Sequence, residues 1–542
     1  MRYLRWLWHN TQGIRGNMLL RILVGIGQVS LALLMVWLCR YFIDVAIKSD
    51  TQVIIHIIIA LVLVVAGNIA LRQIYYYTTI RATAYQATQV RLRIFGHLLR
   101  RRIYDGEPLH SGDITSRLET DVSAISEAVA GTMPQMIVTT VKLTGAFLLL
   151  YSMDRQLAWM LLLSTPLLIV MGKLFARRLR NMTHDVRQQD SRIQMLVQEG
   201  MEHNAMLRAM ESGGWLTGQL DDMQQGLLSK IERRTRFTLV ARTIMAACFG
   251  FGYLLAFVWG GLQLRDGVIT FGVMTAFLQL VAQIQHPILD MLNMVPQLIH
   301  ASASIDRLEE LEQKEAEVEH HSVRKLHGRL GIRVQDVTYK YPKGTRYIFQ
   351  HFTHDFQPGS RTALMGETGA GKTTLFRMIL ALLQPQEGRL ELYNQDESVD
   401  LSVETRRNIV FVPQGNTLMS GTIRYNLQLA NPQATEEEMH HVLHVAAADF
   451  VFDLPDGLDT SCGERGVGFS EGQAQRIAIA RGLLRPGNVL LLDEISSSLD
   501  EQTERELFSR LFESYADKTI IMITHRSTVA QLCNETMRIS HL

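Results

Sequence analysis

Cysteine is scarce. Only Cys39, Cys248, Cys462 and Cys533 stand among 542 residues. No two have the spacing of a metal-binding pair, and their scatter excludes a disulfide framework. The soluble parts of the chain therefore suit a reducing compartment. An excess of either charge is also missing. The 54 basic and 53 acidic residues leave a net charge of +1, which gives no reason to expect a nucleic-acid partner. Apolar residues are plentiful: 47% of the chain is hydrophobic and 20% charged. That blend fits a chain that is partly membrane-embedded and partly water-soluble, and the length predicts two to four domains.

Six apolar runs are long enough to cross a bilayer as helices, which takes ~20 residues each. They lie near 18–39, 53–71, 133–151, 157–175, 243–262 and 271–293. The first exceeds a signal-peptide core and no small-residue cleavage site follows it, so it reads as retained. The loops joining runs 1 and 2, 3 and 4, and 5 and 6 are tight and hold few basic residues: Lys48, Arg155 and Arg265. The other two connections are long, arginine-rich and helical in spacing. By the positive-inside bias they lie in the cytoplasm with the N-terminus. The opening "MRYLRWLWHN" suits a short helix on the inner membrane surface. The spans are thus expected to continue as helices beyond the bilayer, as two cytoplasmic rods.

Within the sixth run, Gln279, Gln283, His286, Asp290, Asn293 and Gln297 recur at intervals of 4, 3, 4, 3 and 4. This places them on one helix face. Such a stripe faces either a partner helix or a water-filled cavity, because polar groups face lipid only at a cost. Pro287 within it is a candidate kink. Lys142 lies ten residues before Ser152, roughly 15 Å below the outer end by helical rise. It is either a cavity-lining group, a member of an ion pair, or a sign that the span sits deeper toward the cytosol.

After the sixth run the chain turns charged, with a boundary near 315–330. Beyond it "RTALMG", "NIVFVPQ", "NVLLLDE" and "TIIMITH" alternate with helical patterns, the signature of a mostly parallel sheet with crossover helices. The stretch "GETGAGKTT" comprises Gly366, Glu367, Thr368, Gly369, Ala370, Gly371, Lys372, Thr373 and Thr374. It follows a strand, opens a helix and fits the phosphate-binding loop. Its backbone would cradle phosphates, Lys372 would reach the β- and γ-phosphates, and Thr373 would offer a hydroxyl to Mg²⁺. Asp493 ends a buried strand and is a second metal candidate. Glu494 after it is placed to polarise a water. Ser470 and Gln473 form a capping box. The start of that helix is an anion site, which makes sense over the γ-phosphate of an ATP held by a second subunit.

These motifs together resemble the ATP-binding-cassette transporter family, and the resemblance covers nearly the whole chain. "FSEGQ" at 469–473 looks like the family's LSGGQ signature. The order matches as well: "VTYKYP", the phosphate loop, "FVPQ", "GERG" at 463–466, "FSEGQ", "LLLDE" with "SSLD", and "ITHR". Six runs followed by one cassette resemble a half-transporter of the lipid and multidrug export type. The resemblance implies that Tyr341 stacks on adenine and that Gln414 senses Mg²⁺ and the attacking water. It implies that Ser470 and Gly472 bind the γ-phosphate across a dimer, that Asp500 links the two sites, and that His525 contacts the γ-phosphate. Short coupling helices are implied within "HSGDITSRLETDV" and "QEGMEHNAMLRAM", with "GERG" near the tips of the rods. Two positions depart from the pattern. Phe469 replaces leucine, and Glu471 replaces the first glycine of the pair, where its charge favours the helix start but opposes a triphosphate unless the side chain turns away.

The expected architecture is an all-α six-helix transmembrane domain with long cytoplasmic extensions (1–315), a linker (316–330) and an α/β P-loop ATPase domain with a helical subdomain (331–542). The expected activity is ATP-driven export of a hydrophobic or amphiphilic substrate, with ATP and Mg²⁺ as cofactors. Two half-transporters, alike or related, would sandwich ATP between their cassettes. The substrate-cavity candidates are Lys142, Gln279, Gln283, His286 and Asp290. Partners would be a second half-transporter, membrane lipids and a small amphiphile, with no nucleic acid. The setting would be a bacterial plasma membrane with the cassette in the cytoplasm. An ATP-gated channel or regulatory subunit, and a cassette ATPase acting on a macromolecule, are the competing classes. No peptidase domain precedes the spans, so cleavage-coupled peptide export is not indicated. His440 and His444 share a helix face, but no further ligand completes a metal site.

Overall fold

The computed structural model describes residues 13–46, 51–100, 111–313, 317, 323–342, 344–463 and 468–540, without the side chains of 111, 164–174 and 176. The N-terminal amphipathic segment, Lys48, and Glu464, Arg465 and Gly466 of "GERG" lie outside the described residues. The chain divides into two compact units, the first ending at Gln313.

The first unit is helical. Its elements are α1 (Arg15–Ala46), α2 (Thr51–Leu99), α3 (Gly112–Met153), α4 (Arg155–Glu202), α5 (Asn204–Ala209), α6 (Gly213–Arg265) and α7 (Phe271–Glu312). Each of the six apolar runs falls within a different long helix. Among the described residues α1, α2, α3 and α6 are long and apolar enough to cross a membrane. Helices of 42 to 53 residues in α2, α3, α4, α6 and α7 exceed any bilayer-spanning need, so they continue past the hydrocarbon. Helix is the answer the bilayer imposes, since each backbone N–H and C=O must find its partner within the segment. In α3, π-helical turns at Arg117–Asp121 and Glu127–Thr132 interrupt the ladder. The short α5 falls within "QEGMEHNAMLRAM".

One core is built by α1, α3, the outer parts of α4 and α6, and α7. Val36, Leu150, Leu157, Ala256, Phe277, Leu280 and Ile284 are buried in it. Small residues allow the close contacts: Ala146, Ala158, Ala256 and Ala276 have no exposed surface, as membrane helix packing favours. Aromatic rings collect at the outer ends. Trp37 stacks on Tyr41 at 5.5 Å, and Phe147 meets Tyr151 at 6.1 Å and Trp159 at 6.2 Å. This is where amphipathic rings settle in a bilayer.

Two carboxylates tie the same ends together. Asp44 at the end of α1 accepts from Thr270 Oγ1 and from the Gly272 amide, each at 3.0 Å. It thereby caps the first turn of α7. Asp154 caps α4 by accepting from the Leu157 amide at 2.8 Å, and takes Gln263 Nε2 of α6 at 2.7 Å and Trp259 Nε1 at 3.2 Å. At the other end of this unit, buried Asp121 accepts from Ser304 Oγ and Arg307 Nε of α7, each at 2.8 Å. Burial would raise its pKa, but these donors hold the carboxylate below its ordinary value.

Helix α7 has two unlike faces. Val273, Phe277, Leu280, Val281, Ile284 and Ile288 are buried. On the other face Gln279, His286 and Asp290 are exposed, and Gln283 is half-buried with an unpartnered Oε1. Lys142 on α3 is half-buried.

The second unit is α/β. Its strands are β1 (Gly331–Lys340), β2 (Tyr347–Phe356), β3 (Arg361–Met365), β4 (Glu387–Tyr393), β5 (Ser398–Asp400), β6 (Ile409–Val412), β7 (Gly421–Thr422), β8 (Ser461–Cys462), β9 (Val489–Asp493), β10 (Thr519–Ile523) and β11 (Glu535–Arg538). A parallel sheet runs β11-β3-β10-β9-β6, an antiparallel sheet runs β2-β1-β4-β5, and β7 pairs with β8. Its helices are α8 (Lys372–Ile379), α9 (Ile423–Gln428), α10 (Glu436–Val445), α11 (Glu471–Leu483), α12 (Glu501–Ser514) and α13 (Ser527–Ala530). All four quoted apolar runs are strands of the parallel sheet. Strand β9 shows why its apolar run is continuous. Leu490 and Leu492 enter the core formed with α9, α10, α11 and α12, while Val489 and Leu491 enter the core shared with α8 and the antiparallel sheet. Both faces are covered, so alternation disappears.

A Cβ at Gly272 would lie 2.4 Å from the Arg40 carbonyl oxygen and 2.5 Å from Asp44 Oδ1. Gly272→Ala is therefore expected to push α1 and α7 apart at the outer end and to cost about 1–3 kcal/mol. A lowered unfolding midpoint of the detergent-purified chain is the check; an unchanged midpoint contradicts the clamp.

Candidate functional site: a nucleotide-binding cassette

Parallel pairing brings three strand ends to one edge. Ile523 of β10 is in register with Leu364 of β3 and with Asp493 of β9. The segments that leave these strands carry the phosphate loop, Asp493–Glu494 and His525. The carboxyl edge of a parallel sheet is where α/β proteins place ligands.

Lys372 begins α8 and is almost buried. Its ammonium donates to the Gly366 carbonyl at 2.6 Å and the Glu367 carbonyl at 3.1 Å. Burial lowers its pKa, partly offset by the Glu494 and Asp493 charges. Thr373 Oγ1 donates to Asp493 Oδ2 at 3.4 Å. Asp493 is buried, and burial together with the neighbouring Glu494 charge pushes its pKa up to about 6. A buried anion flanked by a hydroxyl is a fit for a hard divalent cation, which takes oxygen donors.

Glu494 is held at both carboxylate oxygens. Gln414 Nε2 donates to Oε2 at 2.7 Å, and His525 Nε2 stands 3.0 Å from Oε1. His525 Nε2 is also 3.4 Å from Lys372 Nζ. The two contacts are alternatives: an Nε2–H that donates to Glu494 has no lone pair to accept from the ammonium. Glu494 adopts φ 46°, unusual for a residue with a side chain. Its amide donates to the Ile523 carbonyl at 3.1 Å and its carbonyl accepts from Gln475 Nε2 at 3.2 Å. Gln475 in turn accepts from Ser498 Oγ. This buried glutamine was not apparent in the sequence; the only signal was its place two residues past the signature-like stretch.

The capping box is present. The Gln473 amide donates to Ser470 Oγ at 3.2 Å, and the Ser470 amide donates to Gln473 Oε1 at 2.9 Å. Ser470 and Glu471 are exposed. Gly472 is required where it stands, because a Cβ there would lie 2.9 Å from the Ser498 carbonyl oxygen. Asp500 caps α12, accepting from the Thr503 amide at 3.0 Å and Thr503 Oγ1 at 2.7 Å. The Tyr341 hydroxyl bonds Thr374 Oγ1 at 2.9 Å, and its ring meets Tyr339 edge-on at 5.3 Å. His444 pairs with Asp449 at 2.7 Å.

The family described as ABC transporter transmembrane region matches residues 18–288, and that described as ABC transporter matches 349–497. An export ATP-binding/permease protein of Rickettsia bellii is 25% identical over 94% of this chain and 89% of its own length. An ATP-dependent lipid A-core flippase of Desulfotalea psychrophila is 26% identical over 80% of this chain and 76% of its own. A bacterial Atm1-family ABC exporter, solved with ATP bound, shares the fold at a TM-score of 0.79 and 19% identity, covering 97% of this chain and 93% of that one.

The Asp493 shift carries a pH signature. Unfolded, the side chain loses its proton near 3.8; folded, near 6. Between these values the folded chain holds more protons, so stability falls as pH rises, by about 3 kcal/mol in all. In magnesium-free buffer Asp493→Asn is expected to unfold at a higher temperature than wild type at neutral pH, with the gap closing by pH 4. A gap that does not change with pH refutes the assignment.

Proposed function

Because the chain belongs to the ABC transporter family, and its ATPase cassette and membrane region make it an ATP hydrolase coupled to transport, we propose that it is a half-transporter exporting a hydrophobic or amphiphilic substrate. The observation that carries this reading is the grip on Glu494. Its carboxylate is oriented at both oxygens by Gln414 and His525, beside Lys372, Thr373 and Asp493. That arrangement suits a base aimed at a water beside a bound γ-phosphate.

Gly366, Glu367, Thr368, Gly369, Ala370 and Gly371 present the loop backbone to the phosphates, Lys372 binds the β- and γ-oxygens, and Tyr341 stacks on adenine. Thr373, Asp493 and Gln414 would hold Mg²⁺, which supplies charge neutralisation to the phosphates when bound. Glu494 takes the proton of the attacking water, and His525 holds the γ-phosphate once it releases Glu494. Ser470, Gly472 and Gln473 form an outward-facing anion site that closes on the ATP of a second copy or a related half, with Asp500 beside it. Glu471 is exposed, so its side chain can stay in solvent while the helix start serves the phosphate. The tighter grip of ATP on the closed pair is the source of the switch.

In the membrane half, the polar face of α7 with Gln279, Gln283, His286 and Asp290, together with Lys142, lines the cavity between two halves. An amphiphilic substrate agrees with the names of the relatives, among them a lipid A-core flippase and an ABC multidrug transporter of Aspergillus fumigatus. The membrane is a bacterial inner membrane, with the cassette in the cytoplasm.

Glu494→Gln keeps an acceptor for Gln414 but loses the base. Its ATPase rate in proteoliposomes is expected to fall about a hundredfold or more, with ATP still bound. A variant at the wild-type rate overturns the role of Glu494. Ser470→Ala loses the cap, costing ~1 kcal/mol of helix stability, and is expected to lower turnover with ATP binding to the loop intact. Nanodiscs holding a single protomer are expected to be inactive; wild-type rates in them overturn the two-subunit site.

A further inference from the structure

Arg21 is a cation buried in the membrane half with almost nothing to bind. It lies in the first apolar run, yet it is 1% exposed. Its Nε and Nη1 have no hydrogen-bond partner. Its contacts are Tyr75 of α2, whose ring centroid lies 5.1 Å from the guanidinium carbon and whose hydroxyl is 3.5 Å from Nη2. The Tyr75 hydroxyl donates its own proton to Gln135 Oε1 of α3. Among the described residues no carboxylate pairs with Arg21. Helix α2 contains no acidic residue, and Asp44, the one acid in α1, is at the far end.

The three residues share a depth. Arg21 is about 38 Å from the end of α1, Tyr75 about 36 Å from the start of α2, and Gln135 about 28 Å from Asp154, at 1.5 Å per residue. Those reference points are the outer ends of their helices. A hydrocarbon core of about 30 Å puts the node at its cytoplasmic boundary, where lipid headgroups begin. Arg72 and Arg81 flank Tyr75 on α2, as expected on that side. An arginine at this level ordinarily extends its head into the headgroup water. This one is folded between helices, while Leu19, Leu20 and Leu23 beside it and Tyr76 on α2 face outward.

We propose that Arg21, Tyr75 and Gln135 form a receptor for the anionic oxygens, phosphate or carboxylate, of an amphiphile in the inner leaflet. An unpaired buried charge is costly, and an anion is the chemistry that satisfies three free N–H donors at once. Tyr75 supplies a ring beneath the guanidinium, and Gln135 fixes the tyrosine hydroxyl. The inference needs neither transport nor ATP turnover, so it stands or falls separately from the exporter reading.

The full-length chain is to be compared as wild type, Arg21→Gln and Arg21→Lys in three settings. These are phosphatidylcholine bilayers, the same bilayers with phosphatidylglycerol, and phosphatidylcholine bilayers with inorganic phosphate. Removing an unsatisfied charge is expected to make Arg21→Gln the more heat-resistant chain in phosphatidylcholine. Adding the anion is expected to stabilise wild type and reverse that order, with Arg21→Lys between. Retention of phosphatidylglycerol by native mass spectrometry is expected to fall on the order of tenfold in Arg21→Gln. Stabilisation by phosphatidylglycerol alone identifies a lipid headgroup as the source; stabilisation by inorganic phosphate as well identifies a site open to soluble phosphates. Equal responses of wild type and Arg21→Gln to both anions overturn the proposal. So does a wild type that responds to neither, which decides the matter even if Arg21→Gln does not fold.

Discussion

The cassette depends on the parallel pairing of β3, β10 and β9. Ile523 lies in register with both Leu364 and Asp493, so three chain segments far apart in sequence end at one edge. Without that register Lys372, Asp493, Glu494 and His525 are four unrelated side chains. With it they are neighbours that alter one another. Lys372 is lowered by burial and raised by the two acids, while Asp493 is raised by burial and by Glu494. The same pairing secures the strained backbone of Glu494, whose amide bonds the Ile523 carbonyl. Strain at a functional residue persists only where its surroundings over-determine it, and here the sheet edge and Gln475 do so from two sides.

What the sequence shows and what it hides follow from the range of each interaction. The phosphate loop, the Ser470–Gln473 capping box and the strand before Asp493 are set by residues within a few positions, and all are readable as patterns. The helical rods are readable too, because a run that stays helical far beyond ~20 residues must leave the bilayer. The contacts that give the groups their chemistry are different. Gln414 and Glu494 are 80 residues apart, and Lys372 and His525 are 153 apart. Gln475 looks like an ordinary helix residue until its two bonds to Glu494 and Ser498 are seen. Arg21 is hidden for the opposite reason: the apolar and small residues of the run at 18–39 dilute one charge, so an average over the run conceals it.

Both units leave some buried polar atoms without a partner, but of different kinds. In the cassette the groups around the nucleotide site and the signature helix are answered from within the chain. Glu494 has a partner at each oxygen, Arg481 reaches the Thr417 carbonyl at 2.9 Å, and Asn426 takes the Met419 carbonyl at 2.8 Å. In the membrane half some are not. Gln283 Oε1 and two nitrogens of Arg21 are buried without a partner, and the polar face of α7 is left uncovered while its apolar face is packed. Water relieves such groups at a protein surface, but hydrocarbon does not. The unpartnered groups of the cassette include three hydroxyls, those of Ser360, Thr362 and Thr460, whereas the membrane half leaves two nitrogens of a guanidinium without a partner, a far larger unmet demand. Evolution of an unsatisfied buried group is hard to sustain for packing alone, since an apolar residue of similar shape serves better there. On the two proposals made above, the uncovered stripe and the unpaired guanidinium are the parts of the membrane half that are complete only when occupied.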